Sequence, residues 1–216
     1  MPTMPMIDAS AYPGRRGSTE RLAGLIAARL QRLRGPFRGL FQSEDVLQEE
    51  VVARVGAIEI RRIPAGWRLE TSVKGDQDTA RETALRRMAG YVARLAPSGR
   101  PLHTVRPLIQ TREAPNRWRL SVAVAAMDSE TAAIAASSGR VRLRTCLPIT
   151  IAVMQVRGRP TPETVEDADA RLREALAGTD WISTGGTILR LHRPLRILPF
   201  RSAFQVAVPV AGSGSP

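Results

Sequence analysis

Lysine is almost missing from this chain of 216 residues, since Lys74 is the only lysine and the other 31 of its 32 basic residues are arginine. The net charge of +12 alone would suggest a nucleic-acid or membrane partner. An arginine skew of this kind is also typical of a GC-rich genome, in which arginine fills ordinary solvated positions. Arg117/Arg119 and Arg142/Arg144 take alternate positions, as on the outer face of a sheet. We therefore favour solvated arginines over nucleic-acid binding.

Cysteine, long apolar runs and catalytic motifs are scarce as well. Cys146 is the single cysteine, which excludes an internal disulfide and fits a reducing compartment. No apolar run approaches the ~20 residues of a membrane-spanning helix, and the N-terminus is a poor secretory signal. The sequence has no phosphate-binding loop, nucleophile elbow or zinc-ligand spacing. We expect a cytoplasmic protein without catalysis of its own.

A change of period marks the stretch from residue 67 to residue 95. Trp67, Leu69, Thr71 and Val73 alternate with polar residues, which predicts a strand with one buried face. After Gly75, apolar residues recur at helical spacing as far as Leu95, which predicts an amphipathic helix. Thr79 and Glu82 have the spacing of a capping box at its start, and Asp76 and Asp78 form a polar turn that can cap it.

The same pattern returns later in the chain. Residues 151 to 176 again read as strand, glycine, polar turn and helix, and Gly158 lies 83 positions after Gly75. Thr161 is suited to cap the second helix, with Pro162 at its first position. Alternating strands follow each helix, at residues 102–112 and 118–124 in the first half and at 187–192 and 203–210 in the second. These observations predict a duplicated unit.

Two such units predict an α+β fold. We expect a mostly antiparallel sheet or distorted barrel with two helices packed outside, closed without exposed edges and with a cleft between the halves. The domain spans residues 46–211, with halves 46–130 and 131–211, followed by a flexible tail at 212–216. Residues 1–45 form a basic extension with an amphipathic helix near 19–34. Through residues 15–38 that extension can bind a membrane surface or a membrane-protein partner, or it can pack on its own domain.

Several segments together resemble the SOUL/heme-binding protein family. They are "IEIRRIP" (58–64), "VKGDQDTARETALRRMAGYV" (73–92), "VMQVRG" (153–158) and "HRPLRILPFRSAFQVAV" (192–208). The likeness covers about residues 46–211 and implies a duplicated unit in a distorted barrel with two helices, a fold related to gyrase-inhibitor-like effector-binding domains. The chain departs from the family at His103, which stands in place of a methionine, and after Arg201, where an acidic residue is lost.

The resemblance implies that the protein binds haem or another tetrapyrrole. Such a ligand needs an apolar slot, cations for its propionates and optionally an axial iron ligand. His103 is the first choice as iron ligand and His192 the second, and Arg106 and Arg201 can pair with propionates. The candidate wall residues, each also at ordinary core spacing, are Trp67, Leu69, Trp118 and Phe204.

Three functions remain open at this point. The first is a haem or tetrapyrrole carrier or buffer without catalysis. The second is an interaction subunit on the same scaffold, joined to a membrane protein or complex through its basic N-terminal helix. The third is an enzyme acting on a small hydrophobic ligand, although the sequence shows no paired acid and base for it.

Overall fold

Antiparallel strands with two helices make up the described part of the chain. The computed structural model describes residues 40–41, 46–95, 102–125, 139–192 and 203–213. Its elements are β1 (Glu50–Val55), β2 (Ile58–Ile63), β3 (Gly66–Lys74), α1 (Gln77–Leu95), β4 (Thr104–Ala114), β5 (Arg117–Val124), β6 (Arg142–Cys146), β7 (Ile149–Arg157), α2 (Pro162–Leu176), β8 (Trp181–Ser183), β9 (Ile188–Leu191) and β10 (Ala203–Gly212). The predicted N-terminal helix and Arg201 lie outside the described residues.

One ten-stranded sheet joins all of these strands. Its order is β1-β2-β7-β10-β9-β4-β5-β3-β6, with β8 paired to β10 at one side. Every strand pair in it is antiparallel, which agrees with the predicted α+β class. The predicted closure is wrong for the described strands, because β1 pairs only with β2 and β6 only with β3. Both edges carry exposed charged residues such as Arg54 and Arg144, which discourage further strand pairing.

Both helices cover one face of the sheet. Met88 of α1 and Leu172 of α2 are fully buried in the same core cluster as Leu120 and Val206 of the strands. The apolar positions of each helix recur at helical spacing, so a single stripe of each faces the strands. No helix in the described part of the chain is long and apolar enough to cross a membrane.

The opposite face of the sheet has a smaller apolar cluster of its own. Ile63, Ile151, Val153 and Ala207 form it, and Leu47 packs against it. The segment before β1 is held at this cluster by β4. The Leu47 N–H donates to the carbonyl oxygen of Arg106, in β4, at 2.7 Å. Strand residues are therefore buried on both faces in the middle of the sheet.

The capping residues at the starts of the two helices agree with the sequence prediction for α2 and differ from it for α1. Thr161 caps α2, with Pro162 at the first position, as predicted, and Thr164 completes a reciprocal capping box. The Thr79–Glu82 capping box is wrong, because α1 begins at Gln77. Asp76 is the cap there: its carboxylate accepts hydrogen bonds from the backbone N–H groups of Asp78 and Thr79 at 3.1 and 2.9 Å.

Candidate functional site

A cleft of about 910 Å³ opens at one end of the sheet. One wall is the tip of the β4–β5 hairpin, residues 110–116 with Trp118, together with the start of α1. The other wall is the first half of α2 with residues 186–189 and Pro209. The hairpin forms a wall because β4 pairs with β9 only as far as Thr111, so its last residues extend past the end of β9. A volume of this size suits a small organic ligand.

Trp118 gives the cleft a flat apolar surface. Its indole N–H donates to the Gly75 carbonyl oxygen at 3.1 Å, which fixes the ring and satisfies its one donor. The guanidinium of Arg112 lies over the ring, 6.0 Å from its centre. Val165 and Ile188 line the cleft as half-buried apolar residues. The arrangement favours a planar, largely apolar ligand that can stack on an aromatic ring.

A buried polar network lies beneath this surface. Gln110 is 1% exposed and accepts a hydrogen bond from Arg81 Nε at 3.0 Å while donating to the Gln77 carbonyl oxygen at 2.9 Å. Gln77 Nε2 in turn donates to the Pro160 carbonyl oxygen at 2.7 Å. The network ties the start of α1 to β4 and to the loop before α2, and so holds the cleft at a fixed width.

Arg81 is an unusual member of that network because it is nearly buried. Burial lowers the pKa of Arg81, opposed by the charge of Asp78, whose carboxylate lies 2.9 Å from Nη1. Its Nη2 has no hydrogen-bond partner in the described part of the chain. A buried donor of this kind costs about 1–3 kcal/mol. The cleft therefore has an apolar surface at Trp118, supported by a buried and hydrogen-bonded polar network.

The carboxylates around the cleft are mostly engaged. Burial raises the pKa of Glu113, but hydrogen bonds from Ser72 and Arg119 and the charges of Arg119 and Arg117 bring it below its usual range. Asp169 is paired with Arg173 at 2.8 Å, and Asp76 caps α1. Glu166 is exposed and carries the remaining negative charge. Arg112 is therefore the cation in this lining best placed to meet an anionic group.

Metal ligation finds little support in the cleft. Among the residues that the structure describes, its lining contains no histidine, cysteine, methionine or tyrosine, the residues that usually ligate haem iron. Across the described ranges no cluster of three or more histidine, cysteine or acidic side chains could hold a metal ion. Trp118 fits the face of a macrocycle and Arg112 fits one carboxylate group of it. The described lining residues do not supply an axial ligand to iron.

The residues predicted from the sequence fall in three places. Trp118 lines the cleft. Leu69 and Phe204 are fully buried in the core, and Trp67 is half-buried against it. His103 is exposed and lies outside the cleft lining, although its carbonyl oxygen accepts a hydrogen bond from Ala125 N–H at 2.7 Å. As an iron ligand His103 stays a prediction.

Arg106 and His192 lie together, on the sheet face opposite the helices. Arg106 Nη1 donates to the His192 carbonyl oxygen at 3.5 Å. His192 Nε2 lies 2.9 Å from Gln205 Oε1, and because an amide oxygen only accepts, Nε2 carries the proton. Burial lowers the pKa of His192 below 6.5, more than the hydrogen bond to Gln205 raises it. This pair is separated from the cleft lining, so the predicted set does not form one site.

Sequence analysis missed Gln77, Gln110 and Arg112. Gln110 follows two apolar residues in β4. It lies two positions after the buried Leu108, so both side chains are on the core-facing side of the strand. A polar residue at such a position must find partners inside the protein. That was the available signal. Arg112 gave none, since it is one arginine among many.

Comparison with known proteins agrees with this fold. Solved structures with similar folds include the EcmrR C-terminal domain, at 10% identity and a TM-score of 0.52, covering 72% of this chain and 97% of that one. A hydrolase from Listeria innocua is 16% identical with a TM-score of 0.52, covering 74% of this chain and 94% of that one. At these identities the likeness concerns the fold alone.

The family is settled by a sequence model rather than by individual relatives. No curated protein sequence matches the chain significantly. The model of the SOUL heme-binding protein family matches residues 45–195, well over half of the chain. The chain belongs to the SOUL heme-binding protein family.

Proposed function

We propose that this protein is a tetrapyrrole carrier or buffer without catalysis, and that it holds the macrocycle by its flat face in the cleft. The observation that carries the proposal is the Trp118 ring, fixed by its bond to Gly75 and facing a space of about 910 Å³. Family membership supports the ligand class. The described lining supports a binding role because three of its four carboxylates are engaged in capping and ion pairs, which leaves Glu166 without a second free carboxylate to form an acid and base pair.

Burial of the ring face is the main source of affinity in this proposal. Removing about 400 Å² of apolar surface from water is worth roughly 10 kcal/mol. Association costs about 4–15 kcal/mol, so face burial leaves at most about 6 kcal/mol, which is a dissociation constant of tens of micromolar. Arg112 is suited to pair with a propionate because its guanidinium lies at the Trp118 ring.

Iron has a small role in this account. Bound haem would bring the redox and ligand-exchange chemistry of its iron, while the chain orients the ring and shields one face. Because the described lining offers no axial ligand, we expect metal-free porphyrin to bind about as tightly as haem. Ligation by His103 or His192 is the competing proposal, in which a second binding mode depends on the metal.

We also infer that the fold is built from two copies of one unit. The strand order supports this, because exchanging β2 with β6, β3 with β7, β4 with β9 and β5 with β10 leaves the order from β2 to β6 unchanged apart from its direction. The β3 and β7 bounds differ by the same 83 positions as the sequence repeat. Gln77 also contacts Pro160, its counterpart at that offset.

Titration with protoporphyrin IX tests the binding proposal. Trp118→Leu removes the stacking surface and should weaken binding about 2- to 12-fold, since an aromatic contact contributes about 0.5–1.5 kcal/mol beyond its area. Trp181→Leu, at a half-buried tryptophan outside the cleft lining, is the matched control and should change affinity less than 2-fold. Equal effects of the two substitutions, or no binding to the wild type at tens of micromolar, would sink the proposal.

A further inference from the structure

A second concavity lies on the sheet at β3, β5 and β6, and we call it the arginine hollow. Its volume is about 330 Å³, and six arginines and two glutamates are among its lining residues. These side chains are Arg87, Arg117, Arg119, Arg140, Arg142, Arg144, Glu70 and Glu113. Of the described residues, Glu113 alone lines both the arginine hollow and the cleft.

Strand register brings these arginines together. Ser72 and Glu70 of β3 are the cross-strand partners of Arg119 in β5 and Arg142 in β6. Side chains directly opposite on paired strands lie about 4.5–5.5 Å apart at Cβ. The short Ser72 therefore leaves a depression between two strands that carry arginines. Arg87 of α1 closes one side by donating to the Ser72 carbonyl oxygen at 3.1 Å.

The charges in the arginine hollow do not balance. Glu70 pairs with Arg144 at 2.7 Å, and Glu113 pairs with Arg119 at 2.5 Å. Six arginines against two glutamates leave an excess of four positive charges. Within the described ranges, the Arg140 and Arg142 side chains make no ion pair or hydrogen bond.

The arginine side chains of the hollow are more exposed than its glutamate side chains, which lie beneath them. The side chains of Arg119 and Arg144 are 52% and 55% exposed, whereas those of Glu113 and Glu70 are 20% and 17% exposed. Guanidinium groups at such a rim repel one another. A ligand with several negative charges would relieve that repulsion and use the planar fork of donors that suits phosphate oxygens.

We propose that the arginine hollow binds a small polyphosphorylated ligand, with Arg140 and Arg142 as its main partners. The small volume and concave shape fit a chain of two or three phosphoryl groups. A nucleic acid would instead call for a stripe of basic residues along its backbone. In this proposal the exposed arginines of the hollow bind a specific ligand and are not only solvated surface residues.

Tripolyphosphate titrated by calorimetry in 150 mM salt is the direct test. The wild type should bind it at least 10-fold more tightly than orthophosphate or sulfate. Arg140→Ser with Arg142→Ser should weaken tripolyphosphate binding by 10-fold or more, because both free donors are lost. The matched control is Arg157→Ser with Arg171→Ser, which removes the same charge from two exposed positions outside the hollow.

Three results would overturn the proposal. The first is no binding of tripolyphosphate, and the second is equal weakening in the two double variants, which would indicate a general charge effect. The third is a single-stranded oligonucleotide that binds more tightly than tripolyphosphate and depends on Arg140 and Arg142. That outcome would assign the hollow to nucleic acid. Porphyrin titration of the same variants reports separately on the cleft.

Discussion

Arg190 lies in the middle of the sheet with its side chain fully buried. Its Nη2 is paired with the carboxylate of Glu49, which is itself 4% exposed and accepts a second hydrogen bond from Arg61 at 3.0 Å. Among the described residues, its Nε and Nη1 have no hydrogen-bond partner. Burial lowers the pKa of Arg190, yet a guanidinium remains charged at neutral pH. The segment before β1 is therefore held on the sheet by a buried ion pair.

Glu49→Gln should be strongly destabilising, because it leaves the buried Arg190 without its counter-charge, whereas Arg61 keeps its pair with Glu59. Removing one partner of a buried pair costs about 3–5 kcal/mol. Urea denaturation measures the free energy of unfolding. Glu50→Gln, at a neighbouring carboxylate that is 67% exposed and 3.7 Å from Arg62, should cost about 1 kcal/mol or less. If the two variants lose equal stability, Glu49 does not balance a buried charge.

His192 should make stability sensitive to pH. Burial holds its pKa in the folded state below the unfolded value near 6.5, so the unfolded state binds a proton first as the pH falls. The stabilising contribution is therefore complete above pH 6.5 and is lost as the pH falls through the folded pKa.

A series of urea denaturations from pH 7.5 to 5.5 checks this sign. The wild type should lose stability toward pH 5.5, and His192→Gln should flatten that loss because glutamine can still bond Gln205 without titrating. His103→Gln, at an exposed position, is the control and should keep the wild-type slope. An unchanged slope in His192→Gln would mean that another group titrates in this window.

The burial of apolar strand residues could be predicted from the sequence, whereas the burial of Arg190 could not. Alternation predicted the buried Leu69 and Phe204, because period-two patterns identify a core face. Arg190 sits between Leu189 and Leu191, and alternation places it on the face that a polar strand residue usually exposes to solvent. It is buried because residues 46–49 reach that face, and no local pattern reveals such a long-range contact.

The two strand-to-helix turns, at Gly75 and Gly158, are the elements that the proposed repeat would place at equivalent positions. Gly75 and Gly158 have φ angles of +130° and +106°, which residues with a Cβ rarely adopt. No atom lies within 3.4 Å of a Cβ placed at either position. The cost of substitution is therefore backbone strain rather than a clash.

Gly75→Ala and Gly158→Ala should each lower the free energy of unfolding by about 1–3 kcal/mol through that strain. Gly90→Ala is the contrasting variant, because Gly90 is inside α1 and a Cβ there would make only an ordinary contact with Arg94. It should stabilise the protein by about 0.5–1 kcal/mol. Thermal denaturation compares all three, and a loss in Gly90→Ala matching the other two would contradict the strain argument.

Elements were more predictable than their ends. The strand and helix positions of α1, α2, β4, β5 and β10 follow from periodicity, and the structure places them within a few residues of the predictions. Strand β8 was missed because three residues are too short to show alternation. The start of α1 was misplaced because Asp76, Asp78 and Thr79 can all cap a helix and only the backbone decides among them.

At the scale of the molecule, the described part of the chain combines an open sheet, two helices on one face and a cleft at one end. Sequence predicted the α+β class, because two amphipathic helices and alternating strands must share a core. It predicted closure wrongly, since edge pairing depends on where β1 and β6 end. It also placed the candidate ligand residues in one site, whereas Trp118 lies at the cleft and His192 on the opposite face.

The affinity ratio of haemin to protoporphyrin IX tests the central claim most directly. Face burial does not depend on the metal, so the two dissociation constants of the wild type should agree within about 3-fold. Trp118→Leu should weaken both ligands alike, and His103→Ala should weaken neither. Haemin binding that is 10-fold or more tighter, with the advantage lost in His103→Ala, would contradict the account and place the iron on His103.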